Sequence, residues 1–335
     1  MASNILICGT NWLGDSVMSM PAIQMLKNYQ PECRITILAK SRLASLWAMH
    51  ASVDEVIEYQ SNAVRTIQIS KEIRRHKFDR AYIFPNSFRS ALIPFLGCVP
   101  VRIGLPGHQR AWLLTDVVKP SADQDRMHQS REYFKIMGLK NDNKDFDVPR
   151  LSVPEALMKE AGVKIEAISC KKLTGIFPGA ARGPAKRWPL EYFIETGRKL
   201  VSTEKCGILV FGTEKEIDLC GKVVEGIGDK ALNLSGSTSL QELAALLELC
   251  SVVITNDSGG MHLAAAVGAK VVAVFGLTDP CKTSPLGMGH KIITADNVSP
   301  SRDIERDSET ARKILQSIKP EAVFEAASEL LADEK

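Results

Sequence analysis

Short apolar runs alternate with longer amphipathic segments along the first half of the chain. Three largely apolar runs, Asn4–Cys8, Arg34–Ala39 and Arg80–Phe84, are typical of strands buried on both faces of a parallel sheet. Segments with helical periodicity near Ser16–Tyr29 and Ala63–His76 separate them. The other elements predicted here are a helix at Ser41–His50 and a short strand at Val56–Ile57. This alternation predicts βαβ units around a parallel sheet.

A polar stretch at residues 141–155, with several Asp residues and two prolines, interrupts this pattern. The alternation then restarts, with strands predicted at Leu173–Phe177, Gly207–Phe211, Val252–Thr255 and Lys270–Phe275. Helices are predicted at Glu191–Val201, Leu240–Cys250 and Gly260–Val267, and two more within Ser308–Leu331. A chain of 335 residues is long enough for two domains. The pattern therefore predicts two α/β domains, residues 1–150 and residues 151–335, joined by a linker.

Composition and apolar run lengths indicate an intracellular globular enzyme. Apolar residues make up 45% of the chain and charged residues 24%. The longest apolar stretch, Leu263–Phe275, is interrupted by Gly268 and Lys270 and is shorter than the roughly 20 residues that span a bilayer. The N-terminal residues lack the pattern of a secretory signal, and the eight cysteines form no CxxC pair, which favours reduced, mostly buried thiols. We expect a cytoplasmic protein.

The charge is distributed unevenly along the chain. Residues 1–150 hold 20 basic and 14 acidic side chains, whereas residues 151–335 hold 22 and 25. A basic N-terminal half suggests an anionic partner on that side. Neither half has the Lys/Arg runs with interleaved aromatics that are typical of a nucleic-acid binder.

Polar loops follow the predicted strands, at the edge where open parallel sheets bind ligands. The first, Gly9–Asp15, holds two glycines but not the GxGxxG pattern, which disfavours a nicotinamide-dependent oxidoreductase. Asp15 stands at a helix start, where an acid is favoured by the helix dipole alone. The alternative, which spacing alone favours less, is a general base beside a cleft.

Two loops of the second half suit phosphate binding. Phe177–Pro189 combines a Gly/Pro frame with the cations Arg182, Lys186 and Arg187, which can neutralise a phosphate leaving group or simply lie at the surface. Thr255–His262 is a small-residue turn that opens an Ala-rich helix. The backbone N–H groups at such a helix start bind anions, and glycines permit close approach; the alternative is a capped helix with a buried histidine.

A third loop of this half carries acids, and a fourth contains only turn residues. Glu214 and Glu216 follow the strand that ends before Gly212, and an acid in that position often binds ribose hydroxyls. Either can also be a solvated residue of a helix start. Phe275–Pro280 by itself is a turn signal.

Together these segments resemble the lipopolysaccharide heptosyltransferase family, glycosyltransferase family 9. Gly9–Asp15, Thr255–His262 and Phe275–Pro280 are similar to the general family signature. Pro85–Leu92 and Gly183–Pro189 resemble the heptosyltransferase II branch, and the resemblance covers nearly the whole chain. It implies the GT-B architecture, in which two Rossmann-like domains face each other across a cleft. The N-terminal domain would bind the acceptor and the C-terminal domain the nucleotide sugar, with the terminal helix packing back on the N-terminal domain.

The resemblance also implies the reaction. The donor would be ADP-L-glycero-β-D-manno-heptose and the acceptor the first heptose of the inner core on Kdo-lipid A. Transfer would invert the anomeric centre without a metal ion or other cofactor. The protein would be a monomer that contacts the cytoplasmic face of the inner membrane transiently, because its acceptor is lipid-anchored.

Roles carry over by position from the family. Asp15 matches the proposed base, Lys186 the donor-phosphate lysine and Glu216 the ribose-binding acid. The residues that match the loop for the donor pyrophosphate and sugar are Asp257, Ser258, Gly259, Gly260 and His262.

The basic N-terminal half suits an acceptor rich in carboxylates and phosphates. We expect its anions to be contacted by Arg89, Arg102, His108 and Arg110. Asn11 and Trp12 would shape the acceptor sugar site.

Other functions remain compatible with these residues. The same fold serves heptosyltransferases I and III and transferases that use other nucleotide sugars. A protein that binds the nucleotide sugar without turnover is a further alternative, which the presence of both Asp15 and Lys186 disfavours.

Overall fold

The structure, a computed structural model, describes residues 3–60, 62–107, 109–120, 127–140, 148–168, 170–180, 186–295 and 308–332. The chain divides into two compact units, Met1–Ser152 and Val153–Lys335. Each unit is built on a six-stranded parallel sheet. Parts of the sequence hypotheses lie outside the described residues, namely His108, Arg182, residues 183–185 of the Gly183–Pro189 segment and residues 141–147 of the predicted linker.

The N-terminal domain contains six strands and five helices among its described residues. Its strands are β1 (Asn4–Cys8), β2 (Arg34–Lys40), β3 (Glu55–Tyr59), β4 (Arg80–Ile83), β5 (Val101–Gly104) and β6 (Asp116–Val117). Its helices are α1 (Leu13–Tyr29), α2 (Ser41–Ala48), α3 (Ala63–His76), α4 (Phe88–Leu96) and α5 (Ser130–Ile136), with a 3-10 turn at Ala111–Leu113. The strand order is β3–β2–β1–β4–β5–β6, so the direction of winding reverses between β1 and β4.

The C-terminal domain repeats this plan. Its strands are β7 (Lys172–Phe177), β8 (Cys206–Val210), β9 (Ala231–Asn233), β10 (Val252–Asn256), β11 (Lys270–Phe275) and β12 (Lys291–Thr294). Its helices are α6 (Glu155–Lys164), α7 (Leu190–Thr203), α8 (Ile217–Ile227), α9 (Leu240–Glu248), α10 (Gly259–Ala266), α11 (Pro280–Thr283), α12 (Glu309–Ser317) and α13 (Pro320–Ala332). The strand order is β12–β11–β10–β7–β8–β9, with the reversal between β10 and β7.

The central strands of each sheet lie in the middle of the hydrophobic core of their domain. Ile5, Ile7, Val253 and Ile254 are fully buried, because helices cover both faces of each sheet. The predicted strand–helix alternation is confirmed in both domains, and the bounds of α3 and β11 coincide with those predicted. The two α/β domains predicted from the pattern are therefore present, each with the parallel sheet that the resemblance implies.

The last helix, α13, packs within the C-terminal domain, against α7, β10 and β11. All eight cysteines are free thiols, and five of them are buried, as predicted. Among the described residues, no helix combines the length and apolar character needed to cross a bilayer.

Candidate functional site

The carboxyl ends of β1, β2 and β4 meet at one edge of the N-terminal sheet. Cys8 pairs in register with Leu38 of β2 and with Ile83 of β4. The loops that follow β1 and β4 leave the sheet at its point of reversal, where open α/β sheets form a ligand crevice. Asn11 and Trp12 lie in the first of these loops, and Trp12 is 51% exposed.

Asp15 lies in the first turn of α1, directly after this loop. The helix dipole favours its ionised form there. Its Oδ1 accepts a hydrogen bond of 2.9 Å from Nε2 of Gln129, and that nitrogen lies 3.4 Å from the hydroxyl of Tyr133. Burial, and secondarily the charge of Asp15, raises the pKa of Tyr133 well above its usual value. Asp15 is thus a half-buried carboxylate oriented by an amide and set beside a neutral phenol.

A cluster of cations surrounds the same edge. Arg42 donates to the carbonyl oxygen of Asn11, and its guanidinium lies 5.3 Å from the ring centroid of Trp12. Burial, followed by the charges of Arg42 and Arg89, lowers the pKa of Lys40. Lys40, Arg89 and Asn11 also line a cavity of about 870 Å³. Closely spaced positive charges at an open cavity suit an anionic ligand.

Arg110 does not belong to this cluster, which corrects the expectation that it binds the acceptor. Its side chain is fully buried. Its guanidinium donates to the carbonyl oxygens of Pro85 and Leu105, to Oδ1 of Asn86 at 3.2 Å and to Oγ of Ser90 at 2.9 Å. A guanidinium has five N–H donors in a fixed fork, so these acceptors occupy it. Arg110 instead stabilises the conformation of the loop between β4 and α4.

We expect Arg110→Met to lower the free energy of unfolding by about 3 kcal/mol or more, because several buried acceptors lose a charged donor. Urea denaturation followed by circular dichroism measures the change. Arg89→Met is the matched control, since Arg89 is exposed and its loss should change stability by less than about 0.5 kcal/mol. Equal stability of the two variants would contradict the structural role of Arg110.

Arg102 is likewise engaged in packing. Its Nε donates to the carbonyl oxygen of Leu113 at 2.7 Å, and another guanidinium nitrogen donates to that of Val99. The guanidinium also lies 5.3 Å from the ring centroid of Phe95. Arg102 therefore links β5 to its neighbours, and of the three arginines proposed for the acceptor only Arg89 lines the cavity.

The C-terminal domain gathers its polar loops at the matching point of reversal. Thr255 of β10 pairs in register with Phe177 of β7, so the loops that follow these strands start side by side. Asn256, fully buried at the end of β10, connects them. Its Nδ2 donates to the carbonyl oxygens of Pro178 at 3.0 Å and Gly179 at 3.1 Å, and its Oδ1 accepts from the backbone N–H of Trp188 at 2.9 Å.

This connection brings Lys186 to Asp257. The Lys186 ammonium forms an ion pair with Oδ2 of Asp257, and both side chains are largely buried, at 16% and 10% exposure. Helix α10 begins two residues later, and its N-cap, Ser258, makes no side-chain hydrogen bond to the helix start. The uncapped helix start presents N–H donors and the partial positive charge of the helix dipole, and the ammonium, whose charge Asp257 balances, adds further donors; this grouping suits a diphosphate.

The two glycines proposed to admit a phosphate do not share one role. A Cβ at Gly260 would lie 2.8 Å from Cζ of Phe177, so this glycine is required for packing of α10 on β7. Gly260 is half-exposed, as Gly259 is, so the expected contact of its backbone with a phosphate stays a prediction. Gly259 and Ser258 are half-exposed at the helix start, whereas His262, further along α10, is 4% exposed. The accessible donors of this turn are therefore at its very beginning.

Glu216 contacts the loop that follows β7, on the side where β8 ends. Its Oε2 accepts from the backbone N–H of Thr213 at 2.9 Å and from Oγ1 of Thr213 at 2.8 Å. Its carboxylate lies against Gly179, and a Cβ at that glycine would overlap Oε1. Glu214, the alternative acid, is exposed. Glu216 is consequently the acid that reaches the β7 loop.

We expect Gly179→Ala to weaken binding of an adenine nucleotide by roughly tenfold, because the added methyl displaces the Glu216 carboxylate. Isothermal titration with ADP measures this change. The matched control is Gly221→Ala in α8, where the nearest atom to the added Cβ lies 3.8 Å away. The idea fails if both variants bind ADP like the parent protein.

Sequence reasoning missed Asn256 as the connecting residue, and it missed Lys40 and Arg42. Asn256 stands inside the turn motif, but its three partners come from a loop some 70 residues earlier in the sequence, as its separations of 68, 77 and 78 residues show. Lys40 is the last residue of β2 and Arg42 stands two residues later, so their position at the carboxyl end of a strand next to β1 was the available signal.

Comparisons with known proteins agree with this arrangement of loops. Residues 66–313 match the family described as "Glycosyltransferase family 9 (heptosyltransferase)". The chain is 32% identical to lipooligosaccharide heptosyltransferase 2 of Haemophilus influenzae, over 98% of this chain and 99% of that protein. It is 31% identical to lipopolysaccharide heptosyltransferase 2 of Salmonella typhimurium, with the same coverage. The solved structure of Escherichia coli ADP-heptose LPS heptosyltransferase II superposes with a TM-score of 0.84 at 28% identity, over 99% of both chains.

These matches cover both domains and include the loops that carry Lys186, Asp257 and Glu216. The chain is thus similar to heptosyltransferases over nearly its full length. It also has two Rossmann-like sheets, an uncapped start of α10 and an ion pair beside that helix start. The chain belongs to glycosyltransferase family 9, the heptosyltransferases.

Proposed function

We propose that the protein transfers L-glycero-D-manno-heptose from ADP-heptose to the first heptose of the lipopolysaccharide inner core. The main observation is the grouping of Lys186, Asp257 and the uncapped start of α10 at one edge of the C-terminal sheet. This grouping suits the diphosphate of a nucleotide sugar. The similarity to proteins named heptosyltransferase 2 supports heptose as the sugar and the inner core as the acceptor.

The C-terminal domain binds the donor in this proposal. Lys186 and the backbone N–H groups near Ser258 and Gly259 contact the diphosphate, and His262 supports that turn from within α10. Glu216 accepts hydrogen bonds from the ribose hydroxyls, which is the usual role of an acid after a βα turn. Asp257 orients Lys186 before the donor binds.

The N-terminal domain binds the acceptor. Asn11 and Trp12 contact the sugar, and Arg89 and Lys40 bind its anionic substituents. The structural support is the cavity that Asn11, Lys40 and Arg89 line together.

We expect Arg89→Ala to raise the acceptor KM by about tenfold while kcat changes little, because the charge contributes to binding and not to the reacting bond. Initial rates at varied acceptor concentration measure both constants. Arg131→Ala, another arginine of the N-terminal domain, is the control. A KM that Arg89→Ala leaves unchanged would remove this residue from the acceptor site.

Chemistry proceeds by a single displacement in this proposal. Asp15 accepts the proton of the acceptor hydroxyl while that oxygen attacks the anomeric carbon of the heptose from the face opposite ADP. The new glycosidic bond forms as the bond to the diphosphate breaks, and the configuration inverts. Lys186 and the start of α10 stabilise the charge that ADP carries away. We propose no metal ion and no other cofactor for this step.

We propose that the protein acts as a monomer. Because the proposed acceptor is lipid-anchored, the protein contacts the cytoplasmic face of the inner membrane transiently.

Purified protein, ADP-heptose and Kdo-lipid A that already carries one heptose test the proposal, with ADP release and product mass as readouts. A gain of one heptose supports it. Transfer only to Kdo-lipid A without heptose would assign the protein to the first heptose instead. ADP-heptose binding without any transfer would leave a nucleotide-sugar-binding protein.

A further inference from the structure

Helix α4 turns an apolar side to the solvent. Phe88, Phe95 and Leu96 are 42%, 37% and 42% exposed, and Leu92 between them is half-buried. The buried side of the helix is apolar as well, with Ala91, Ile93 and Pro94 beside Ser90. An ordinary surface helix carries polar residues opposite the apolar stripe that faces the core, whereas α4 is apolar on both sides. The exposed side of α4 therefore needs an explanation outside the fold.

Neighbouring elements extend this surface. Trp112 is 64% exposed, and its ring centroid lies 6.1 Å from that of Phe88 and 5.7 Å from that of Phe95. Helix α3 packs beside α4 and adds Val64 and Ile67, which are 67% and 56% exposed. The "α3–α4 patch" consists of Val64, Ile67, Phe88, Phe95, Leu96 and Trp112. Contiguous apolar surface of this kind marks an interaction site.

Basic side chains accompany the patch. On α3, Lys71 and Arg74 follow Val64 and Ile67 at seven-residue spacing, which places all four on one side of the helix. Both cations are exposed, as is Arg89 on α4. The acid of this helix, Glu72, is offset by about 100° from Lys71 around the axis. Apolar and aromatic side chains flanked by cations complement a bilayer with anionic lipids.

We propose that the α3–α4 patch docks on an anionic lipid bilayer. The patch is continuous with the cavity, because Ile67, Phe88 and Leu96 belong to the patch and line the cavity together with Lys40 and Arg89. Docking places the cavity at the membrane surface, where a lipid-anchored acceptor presents its anionic sugar. A second copy of the chain fits less well, since a self-paired patch would bring identical cations together. The role in acceptor delivery rests on the proposed function, whereas bilayer binding can be tested alone.

Vesicle flotation tests the docking surface. We expect the parent protein to float with phosphatidylglycerol vesicles and to bind phosphatidylcholine vesicles weakly. Val64→Ser/Trp112→Ser should reduce the bound fraction roughly tenfold through loss of buried apolar area. Lys71→Gln/Arg74→Gln should reduce it roughly 25-fold on anionic vesicles, since each cation contributes about a factor of five. Tyr29→Ser/Val163→Ser is the matched control, because both residues are similarly exposed and lie outside the patch.

Fluorescence locates the contact. Of the four tryptophans, Trp47 and Trp188 are buried, so a Trp12→Phe background leaves three indoles, of which Trp112 is the exposed one. Its emission should shift to shorter wavelength with anionic vesicles. An unshifted Trp112, or equal flotation of the patch and control variants, would overturn the proposal. Analytical sedimentation provides a further check. If the parent protein is a dimer that the patch substitutions dissociate, and it does not bind vesicles, the patch serves self-association and the docking proposal is overturned as well.

Activity separates this proposal from the proposed function. The Val64→Ser/Trp112→Ser variant should lose about tenfold in rate on acceptor embedded in vesicles. It should keep the parent rate on deacylated acceptor in solution. A parent protein that binds vesicles but transfers no heptose would contradict the proposed function and leave the docking surface intact. An equal loss on both acceptors would show that the patch acts within the sugar site and would overturn bilayer docking.

Discussion

Asp15→Asn should lower kcat by about 10²- to 10⁴-fold, the usual contribution of a positioned general base. The amide keeps the shape of the side chain but cannot accept the proton of the acceptor hydroxyl. Donor binding should persist, because Asp15 lies in the N-terminal domain and the donor loops lie in the other. Single-turnover rates with ADP-heptose, together with the Kd for ADP, measure both effects.

The control separates a base from a helix-start acid. Asp218 occupies the first turn of α8 and is exposed. Asp218→Asn removes a comparable interaction with a helix dipole, which is worth only about 0.3–1 kcal/mol. We expect it to retain nearly full activity. If Asp15→Asn does the same, Asp15 is a helix-start acid and the base lies elsewhere.

Lys186→Met should lower kcat/KM for the donor by about 10²- to 10³-fold, the typical effect of removing one group that stabilises developing negative charge. Two causes contribute. The departing ADP loses a positive partner, and Asp257 loses the ammonium that neutralises it, so its carboxylate then repels the diphosphate.

A double variant distinguishes these causes. Lys186→Met/Asp257→Asn removes the repulsive carboxylate along with the lysine. We expect ADP affinity to recover towards that of the parent protein while kcat stays low, because only the parent lysine stabilises the leaving group. Full recovery of kcat in the double variant would show that Lys186 serves to neutralise Asp257 and takes no part in the chemical step.

The roles of the arginines illustrate why sequence patterns alone misassign cations. Arg89, Arg102 and Arg110 all belong to the basic half, and the sequence around them does not show which of them faces a ligand. In the structure, only Arg89 lines the cavity, whereas Arg110 is enclosed by acceptors from residues up to 25 positions away. Carbonyl groups that converge from separate loops cannot be inferred from spacing, because each depends on the course of the backbone.

Three of the elements that periodicity missed, β6, β9 and α4, also depend on contacts beyond the local pattern. Strands β6 and β9 contain two and three residues, too few to display an alternation. Each forms because it pairs with a neighbour, β5 for β6 and β8 for β9. Helix α4 was missed because its exposed side is apolar, which removes the amphipathic contrast that identifies a helix.

By itself, the sequence determined the fold class, the division into two domains, and the position of the polar loops after the strands. These properties follow from local patterns, since strands buried on both faces must be apolar and their connections must leave at the sheet edge. Tertiary structure alone decided that Asn256 connects two donor loops, that Gly260 makes room for Phe177, and that the patch around Trp112 faces the solvent. These are contacts between residues distant in the chain, and they exist only once packing has brought the elements together.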